Sequence, residues 1–81
     1  MINKSITIII QLFAEYRENR FKVEKRVYPS GTTAQDIIDE LGINDYEFPL
    51  GILMVNSKHE KGEYILQEGD ILAFFPEIAG G

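Results

Sequence analysis

The 81-residue sequence contains no cysteine, no tryptophan, one histidine and three prolines. Without cysteine, disulfide bonds, thiolate metal sites and a cysteine nucleophile are all excluded. The single histidine, His59, has no second ligand at a metal-binding spacing, so we expect no metal site. No apolar run approaches the roughly 20 residues of a membrane-spanning helix, and the N-terminus shows no signal-peptide pattern. We therefore expect a cytoplasmic protein without a membrane partner.

Basic residues are also few. Eight lysines and arginines stand against 13 aspartates and glutamates, giving a net charge of -5. This balance argues against nucleic acid as a partner and favours partners with basic surfaces. The hydrophobic fraction of 44% is typical of a folded globular protein, and the length predicts a single domain spanning residues 1–81.

Alternating apolar residues predict a hairpin in the first third of the chain. Residues 5–13 form the first strand, with one face expected to be buried. That face carries Ile6, Ile8, Ile10 and Leu12. Residues 21–28 alternate again and are predicted to pair with the first strand. Between them, residues 14–20 are too few for more than one or two helical turns.

Residues 33–42 carry the strongest helix signal. Thr33 suits the N-cap, and Gly42 suits the C-terminal end. The apolar stripe of this helix, at the i, i+3, i+4, i+7 spacing, is Ala34, Ile37, Ile38 and Leu41. Its carboxylates fall largely off that stripe, which indicates a solvated face and not a catalytic pair. They are Asp36, Asp39 and Glu40.

The second half of the chain reads as further strands. After a loop that holds Pro49 and Gly51, the stretch ILMVN predicts a central, mostly buried strand that ends in a turn at Asn56. EYIL predicts a short strand. The turn QEGD precedes ILAFF, which Pro76 ends. This order of elements predicts an α+β protein of the β-grasp, or ubiquitin-like, type, in which a mixed sheet curls over one main helix.

Only one face of the last strand can meet the helix, and we assign Leu72 and Phe74 to the core. The opposite face of the sheet then carries four apolar residues, Ile9, Phe13, Ile71 and Phe75. Two aromatic rings side by side on an exposed sheet face form a patch of the size that binds partner proteins.

The sequence ends in Ala79-Gly80-Gly81. Glycine offers no side chain to pack and loses the most backbone entropy on ordering, so residues 77–81 are predicted to form a flexible tail. The backbone of such a tail can approach a ligand closely. The sequence has no phosphate-binding loop, so we expect no bound cofactor.

The sequence resembles the small sulfur-carrier proteins of molybdopterin and thiamine biosynthesis, most of all the small subunit of molybdopterin synthase. The resemblance spans nearly the whole chain and rests on LFAEYRE, PSGTTAQDIIDELG, LMVN and LQEGDILAFFPEIAGG. It implies that a partner adenylates the Gly81 carboxylate with ATP and that sulfur then replaces oxygen there. The resulting thiocarboxylate would supply sulfur to the molybdopterin dithiolene. Gly80 and Gly81 would carry this chemistry, making the chain a cosubstrate and not a complete enzyme.

The resemblance also implies two partners, the large catalytic subunit of molybdopterin synthase and an ATP-dependent adenylating enzyme. It places Phe13 and Phe75 at the contact with the large subunit. Ile71, Pro76 and Ile78 complete the predicted partner surface. Three residues that match the family motif after the first strand are expected to cap and solvate a turn. They are Tyr16, Arg17 and Glu18.

Other functions fit the same sequence. A related carrier would supply sulfur for thiamine or for transfer-RNA thiolation, and a ubiquitin-like modifier would be conjugated to protein lysines. The FFP ending and the length favour the molybdopterin type. A different class is a β-grasp binding module whose terminal glycines have no chemical role.

Overall fold

The computed structural model describes residues 4–43 and 50–76. Its elements are β1 (Ser5–Leu12), a 3-10 helix (Ala14–Arg17), β2 (Val23–Pro29), α1 (Ala34–Leu41), β3 (Leu50–Val55), β4 (Lys58–His59) and β5 (Ile71–Pro76). The five strands form one sheet in the order β2-β1-β5-β3-β4. β1 and β5 are parallel, and the other neighbours are antiparallel. This mixed sheet with one helix confirms the predicted β-grasp fold.

The core lies between α1 and one face of the sheet. Strand alternation decides which side chains enter it, because successive residues point to opposite faces. The predicted inner face of β1 is buried throughout, and Leu72 and Phe74 of β5 are fully buried, as predicted. The helix contributes Ala34, Ile37 and Ile38 to the same cluster.

Local hydrogen bonds set both ends of α1. The Thr33 hydroxyl accepts from the Asp36 amide at 3.2 Å, and the Asp36 carboxylate accepts from the Thr33 amide at 2.9 Å. This capping box satisfies amides that the first helical turn leaves without partners. At the other end Gly42 adopts φ +66°, a left-handed conformation that glycine takes without strain. The helix therefore begins and stops where the sequence predicted.

Two strand predictions in the second half of the chain are wrong. The EYIL segment is not a strand, because it runs beside the start of α1: Leu66 N donates to Thr32 O, and the Tyr64 carbonyl accepts from Ala34 N. Ile65 forms only an isolated bridge to Thr33. The charged KHEKGE segment, which was predicted to be a loop, instead contains the short strand β4, which pairs with one edge of β3 while β5 pairs with the other. Gly51, which was predicted to lie in a loop, is part of β3 at a register shift.

Tyr16 is also corrected. We expected it to cap and solvate a turn, but its side chain is fully buried in the core. The chain turns sharply after β1, with Ala14 at φ +53° and the Phe13 carbonyl accepting from the Tyr16 amide at 3.2 Å. This tight turn directs Tyr16 back under the sheet, so its ring contributes to the hydrophobic core.

Candidate functional site

The face of the sheet opposite α1 carries the predicted partner surface. β1 and β5 run side by side, with Ile9 opposite Ile71 and Leu12 opposite Phe74. Since Leu12 and Phe74 point into the core, the alternate residues of both strands point outward. Ile71 keeps 39% of its surface exposed, although it is flanked by apolar neighbours.

The outer face ends in an aromatic pair. The rings of Phe13 and Phe75 stack with their centroids 4.3 Å apart and their planes 13° from parallel. The Phe13 amide donates to the Phe74 carbonyl at 3.3 Å, which continues the β1–β5 ladder past the end of β1. Sequence alternation predicted that these two rings share a face, and their contact agrees. Their role in partner binding remains a prediction.

Arg17 completes this end of the face. Its Nε donates to the Leu12 carbonyl at 2.7 Å, and its guanidinium carbon lies 5.3 Å from the centroid of the Phe13 ring. A guanidinium over an aromatic face is attracted by the ring quadrupole. Arg17 was predicted only to solvate a turn, but these contacts hold a cation beside the stacked rings.

β3 extends the apolar surface. ILMVN was predicted to be mostly buried, but only Leu53 and Val55 are, since β3 alternates like its neighbours. Ile52 lies opposite Phe75 and keeps 41% of its surface exposed. Beside it, a shallow depression of about 300 Å³ is lined by residues that include Met54, Ala73 and Phe75. Sequence reasoning missed Ile52 and Met54, although their alternation with Leu53 was a usable signal.

Residues 77–81, the segment predicted to form a flexible tail, come directly after this surface in the sequence and lie outside the described residues. Pro76, the last residue of β5, is partly buried and pairs with Leu50. Segment 77–81 follows within a few residues of the stacked rings. Ile78, Gly80 and Gly81 lie outside the described residues, so their predicted roles remain predictions.

A buried carboxylate fixes the start of β5. Asp70 is 5% exposed and accepts hydrogen bonds from Asn56 Nδ2 at 2.8 Å, Tyr64 Oη at 3.0 Å and the Gln67 amide at 2.8 Å. Asn56 Oδ1 in turn accepts from the Ile71 amide at 3.0 Å. Sequence reasoning predicted turns at Asn56 and at QEGD. It missed that Asp70 joins them, because the two residues are far apart in the chain.

These groups serve structure and not acid–base chemistry. Burial raises the pKa of the Tyr64 hydroxyl, and its hydrogen bond to Asp70 raises that pKa further. Within residues 4–43 and 50–76, no three His, Asp or Glu side chains are grouped to hold a metal ion. No helix in this part of the chain has the length and apolarity to cross a membrane.

Comparison with known proteins adds the family. The ThiS family model matches residues 10–81. This match includes the last three residues of β1, all later elements and the terminal glycines. A search of curated proteins gave no match.

Solved structures of similar fold exist. A Pyrococcus furiosus protein described as putative molybdopterin converting factor, subunit 1, is 20% identical, with 90% of this chain and 99% of that one covered and a TM-score of 0.72. Small archaeal modifier protein 1 of Haloferax volcanii is 18% identical, with 90% and 99% covered and a TM-score of 0.71. A further Haloferax volcanii protein, solved in solution, is 19% identical, with 95% and 88% covered and a TM-score of 0.75. At these identities the similarity establishes the fold.

Proposed function

Since this chain belongs to the ThiS family of ubiquitin-like sulfur carriers and modifiers, we propose that it is the sulfur-carrying small subunit of a molybdopterin synthase. Members of this family are small carriers and not catalysts on their own. One observation carries the proposal: the family match extends through Gly81, directly after a strand whose exposed end is an aromatic pair. Such a chain presents both a partner surface and a thin reactive terminus.

The chemistry takes place at the Gly81 carboxylate. In the active site of an activating partner, a carboxylate oxygen attacks the α-phosphorus of ATP and pyrophosphate leaves. A sulfur donor then displaces AMP from the acyl-adenylate and leaves a thiocarboxylate. Two loaded chains in turn each transfer one sulfur to a pterin precursor in the large subunit, and the two sulfurs form the dithiolene. At each transfer an oxygen from water restores the Gly81 carboxylate.

The residues near the tail have separate roles in this proposal. Gly80 and Gly81 keep the terminus narrow, because glycine lets the backbone approach a ligand closely. Phe13, Phe75 and Ile71 dock the large subunit, together with Pro76 and Ile78. The Arg17 guanidinium beside Phe13 adds a positive charge at the rim of this surface. An aromatic centre with a charged rim is typical of protein-binding surfaces.

The alternatives differ in the acceptor. A thiamine or transfer-RNA carrier would form the same thiocarboxylate, and a protein modifier would use the same adenylate to form an amide with lysine. The fold similarity to small archaeal modifier protein 1 is compatible with each of these. A simple binding module would need no free terminus. The experiment must therefore test the terminus first and the acceptor second.

The test of the terminus is an intact-mass measurement. Incubation with the activating enzyme, ATP and a sulfur donor is expected to raise the mass by the difference between one sulfur and one oxygen, mapped to Gly81. Adding one C-terminal alanine moves the terminus by roughly 3.3–3.6 Å. Because reacting atoms must be held about 3–3.5 Å apart, this variant is expected to lose the product.

Ala79→Gly is the matched control, since it keeps the tail both thin and of native length, and we expect it to retain activity. Full sulfur loading of an uncleaved, alanine-extended chain would refute the carrier proposal. The acceptor is then tested by adding the large subunit and the pterin precursor to the loaded protein. Loading without dithiolene formation would refute the molybdopterin assignment and leave the carrier class intact.

A further inference from the structure

We propose that the outer edge of β2, residues 23–27, is a docking site for an extended acidic segment of a partner protein. The partner segment would add a strand to the sheet and would carry an acidic residue between two apolar ones. This inference does not depend on the proposed function, since it concerns a different edge of the molecule.

In β2, the backbone amide and carbonyl of every second residue point towards the free edge of the strand and not towards β1. The Lys22 carbonyl accepts from Leu12 N at 2.9 Å, and the Ser30 amide donates to Lys4 O at 2.8 Å. The β1–β2 register runs between these two points without a bulge. Residue pairs in an antiparallel ladder alternate between hydrogen-bonded and non-hydrogen-bonded pairs. Since Lys22 and Ser30 are both hydrogen-bonded on the β1 side, the even-numbered residues of β2 between them are hydrogen-bonded to β1 as well. The amides and carbonyls of Val23, Lys25 and Val27 therefore point to the outer edge.

Among the described residues, β2 has β1 as its only strand neighbour. A row of outward amides and carbonyls is a template for another strand. Pro29 closes this row at one end, because it also occupies an outward position but has no amide hydrogen. The usable edge is about five residues long, which suits a short segment.

The side chains beside this edge are apolar, basic, apolar. Val23 is 54% exposed and Val27 is 63% exposed, although valine is among the residues most often buried. Both lie on the outer face of the sheet, with exposed Lys25 between them. Directly opposed residues of paired strands share a face. An incoming strand would thus place an apolar residue opposite Val23, an acidic residue opposite Lys25 and an apolar residue opposite Val27. Because this pattern is symmetric, it fits a parallel or an antiparallel strand.

Charge favours an acidic partner at this edge. Lys25 is the only charged side chain among the outward-facing residues of β2, because Glu24 and Arg26 lie on the other face and pair with each other. The whole chain, in contrast, has a net charge of -5. An acidic segment would be attracted to the β2 edge and repelled by most of the remaining surface.

A second copy of this chain fits the edge less well. An antiparallel pairing of two β2 edges that places Val23 opposite Val27 also places Lys25 opposite Lys25. Like charges directly opposite each other destabilise a strand pair. The lysine therefore opposes self-association and selects a partner of opposite charge.

The experiment uses a synthetic peptide, acetyl-Thr-Val-Thr-Asp-Thr-Val-Thr-amide, and amide hydrogen exchange of the full chain followed by NMR. Peptide at about 1 mM is expected to protect the amides of Val23, Lys25 and Val27. The amides of Glu24, Arg26 and Tyr28 are already bonded to β1 and should change little. The same peptide with lysine in place of aspartate is the matched control and should not protect.

Two substitutions test the cause. Lys25→Glu should weaken binding of the aspartate peptide roughly fivefold and strengthen binding of the lysine peptide. Lys61→Glu makes the same charge change away from the edge and should leave both affinities unchanged. Val27→Pro removes one outward amide and should weaken aspartate-peptide binding roughly two- to tenfold without loss of the β1 ladder.

Three outcomes would overturn the proposal. One is absence of protection by the aspartate peptide, and another is equal protection by the lysine peptide. The third is protection of the same amides that rises with protein concentration alone, which would assign the edge to a second copy. Deletion of Gly81 is expected to leave peptide binding unchanged, so a failure here is separate from a failure of the carrier proposal.

Discussion

At the scale of single residues, Asp70 is the side chain on which the geometry of the outer face depends. Its carboxylate joins the turn before β5 to the turn after β3 through Gln67 and Asn56. Asn56 then accepts from the first amide of β5. These bonds set the starting point of β5 and hence the position of Phe75 beside Phe13.

We expect Asp70→Ala to destabilise the protein by about 2–4 kcal/mol, because hydrogen bonds to a charged group are lost and buried donors are left without an acceptor. Urea unfolding measures this change. Glu68→Ala, in the same turn, is the control: Glu68 is exposed and accepts one bond from the Thr7 amide. Its cost should stay below about 1 kcal/mol. Equal costs for the two variants would contradict the role given to Asp70.

At the scale of elements, β5 divides its side chains between the core and the partner surface. Neighbouring phenylalanines take opposite sides: Phe74 is fully buried, and Phe75 stacks on Phe13 on the outer face. Substitution to alanine should separate the two roles. Phe74→Ala is expected to cost about 3–5 kcal/mol of unfolding free energy, because it opens a cavity in the core.

Phe75→Ala should leave the fold intact and weaken binding to the large subunit by about 1–3 kcal/mol, as expected for an aromatic anchor. Phe13→Ala should behave in the same way. Isothermal titration calorimetry with the large subunit, alongside urea unfolding of each variant, measures both quantities. Val27→Ala on the same face but away from the rings is the control and should not change this affinity. Unfolding of both Phe75→Ala and Phe13→Ala would show that these rings belong to the core.

The elements with strong local signals were predicted well. β1 alternates over a long stretch, α1 carries its own caps, and β5 is bounded by a turn and a proline. For the same reason the outer face with Phe13, Ile71 and Phe75 could be predicted, because alternation assigns faces without knowledge of the fold.

The failures have a common cause. β4 consists of Lys58 and His59, and a two-residue strand of polar side chains has no periodicity to detect. Its pairing comes from the turn at Asn56 and Ser57, both with positive φ. The Tyr16 ring is buried because the turn after β1 directs it under the sheet. Asp70 accepts a hydrogen bond from Asn56, which is far from it in the chain. None of these features leaves a periodic apolar pattern in the local sequence, so sequence reasoning could not detect them.

At the scale of the whole molecule, alkaline pH should weaken the fold. The pKa values of Tyr28 and Tyr64 are both raised, chiefly by burial. A raised pKa in the folded state means that folding favours the protonated hydroxyl. The protonated hydroxyl therefore contributes to the free energy of unfolding. This contribution is fully present below the pKa of about 10 in the unfolded chain, and it is lost as the pH rises through the pKa in the folded state.

We therefore expect the free energy of unfolding to fall above about pH 10. The double variant Tyr28→Phe and Tyr64→Phe should show a shallower fall, because it has no hydroxyl to titrate at either site. Urea unfolding between neutral and alkaline pH measures both curves, and ultraviolet absorbance follows tyrosinate formation. If the free energy of unfolding fell equally steeply with pH in both proteins, Tyr28 and Tyr64 would not be the groups responsible.

The position of β5 in the sheet also has a consequence for how the molecule assembles. β5 separates the β2-β1 pair from the β3-β4 pair, and the strand pairing between these halves runs only through it in the described structure. A ribosome delivers β5 after all the other strands, so the two earlier pairs must wait without their shared neighbour. Pairings so distant in sequence close slowly. Closure of the sheet thus waits for the synthesis of β5, and the rings of Phe13 and Phe75 stack only as the sheet closes.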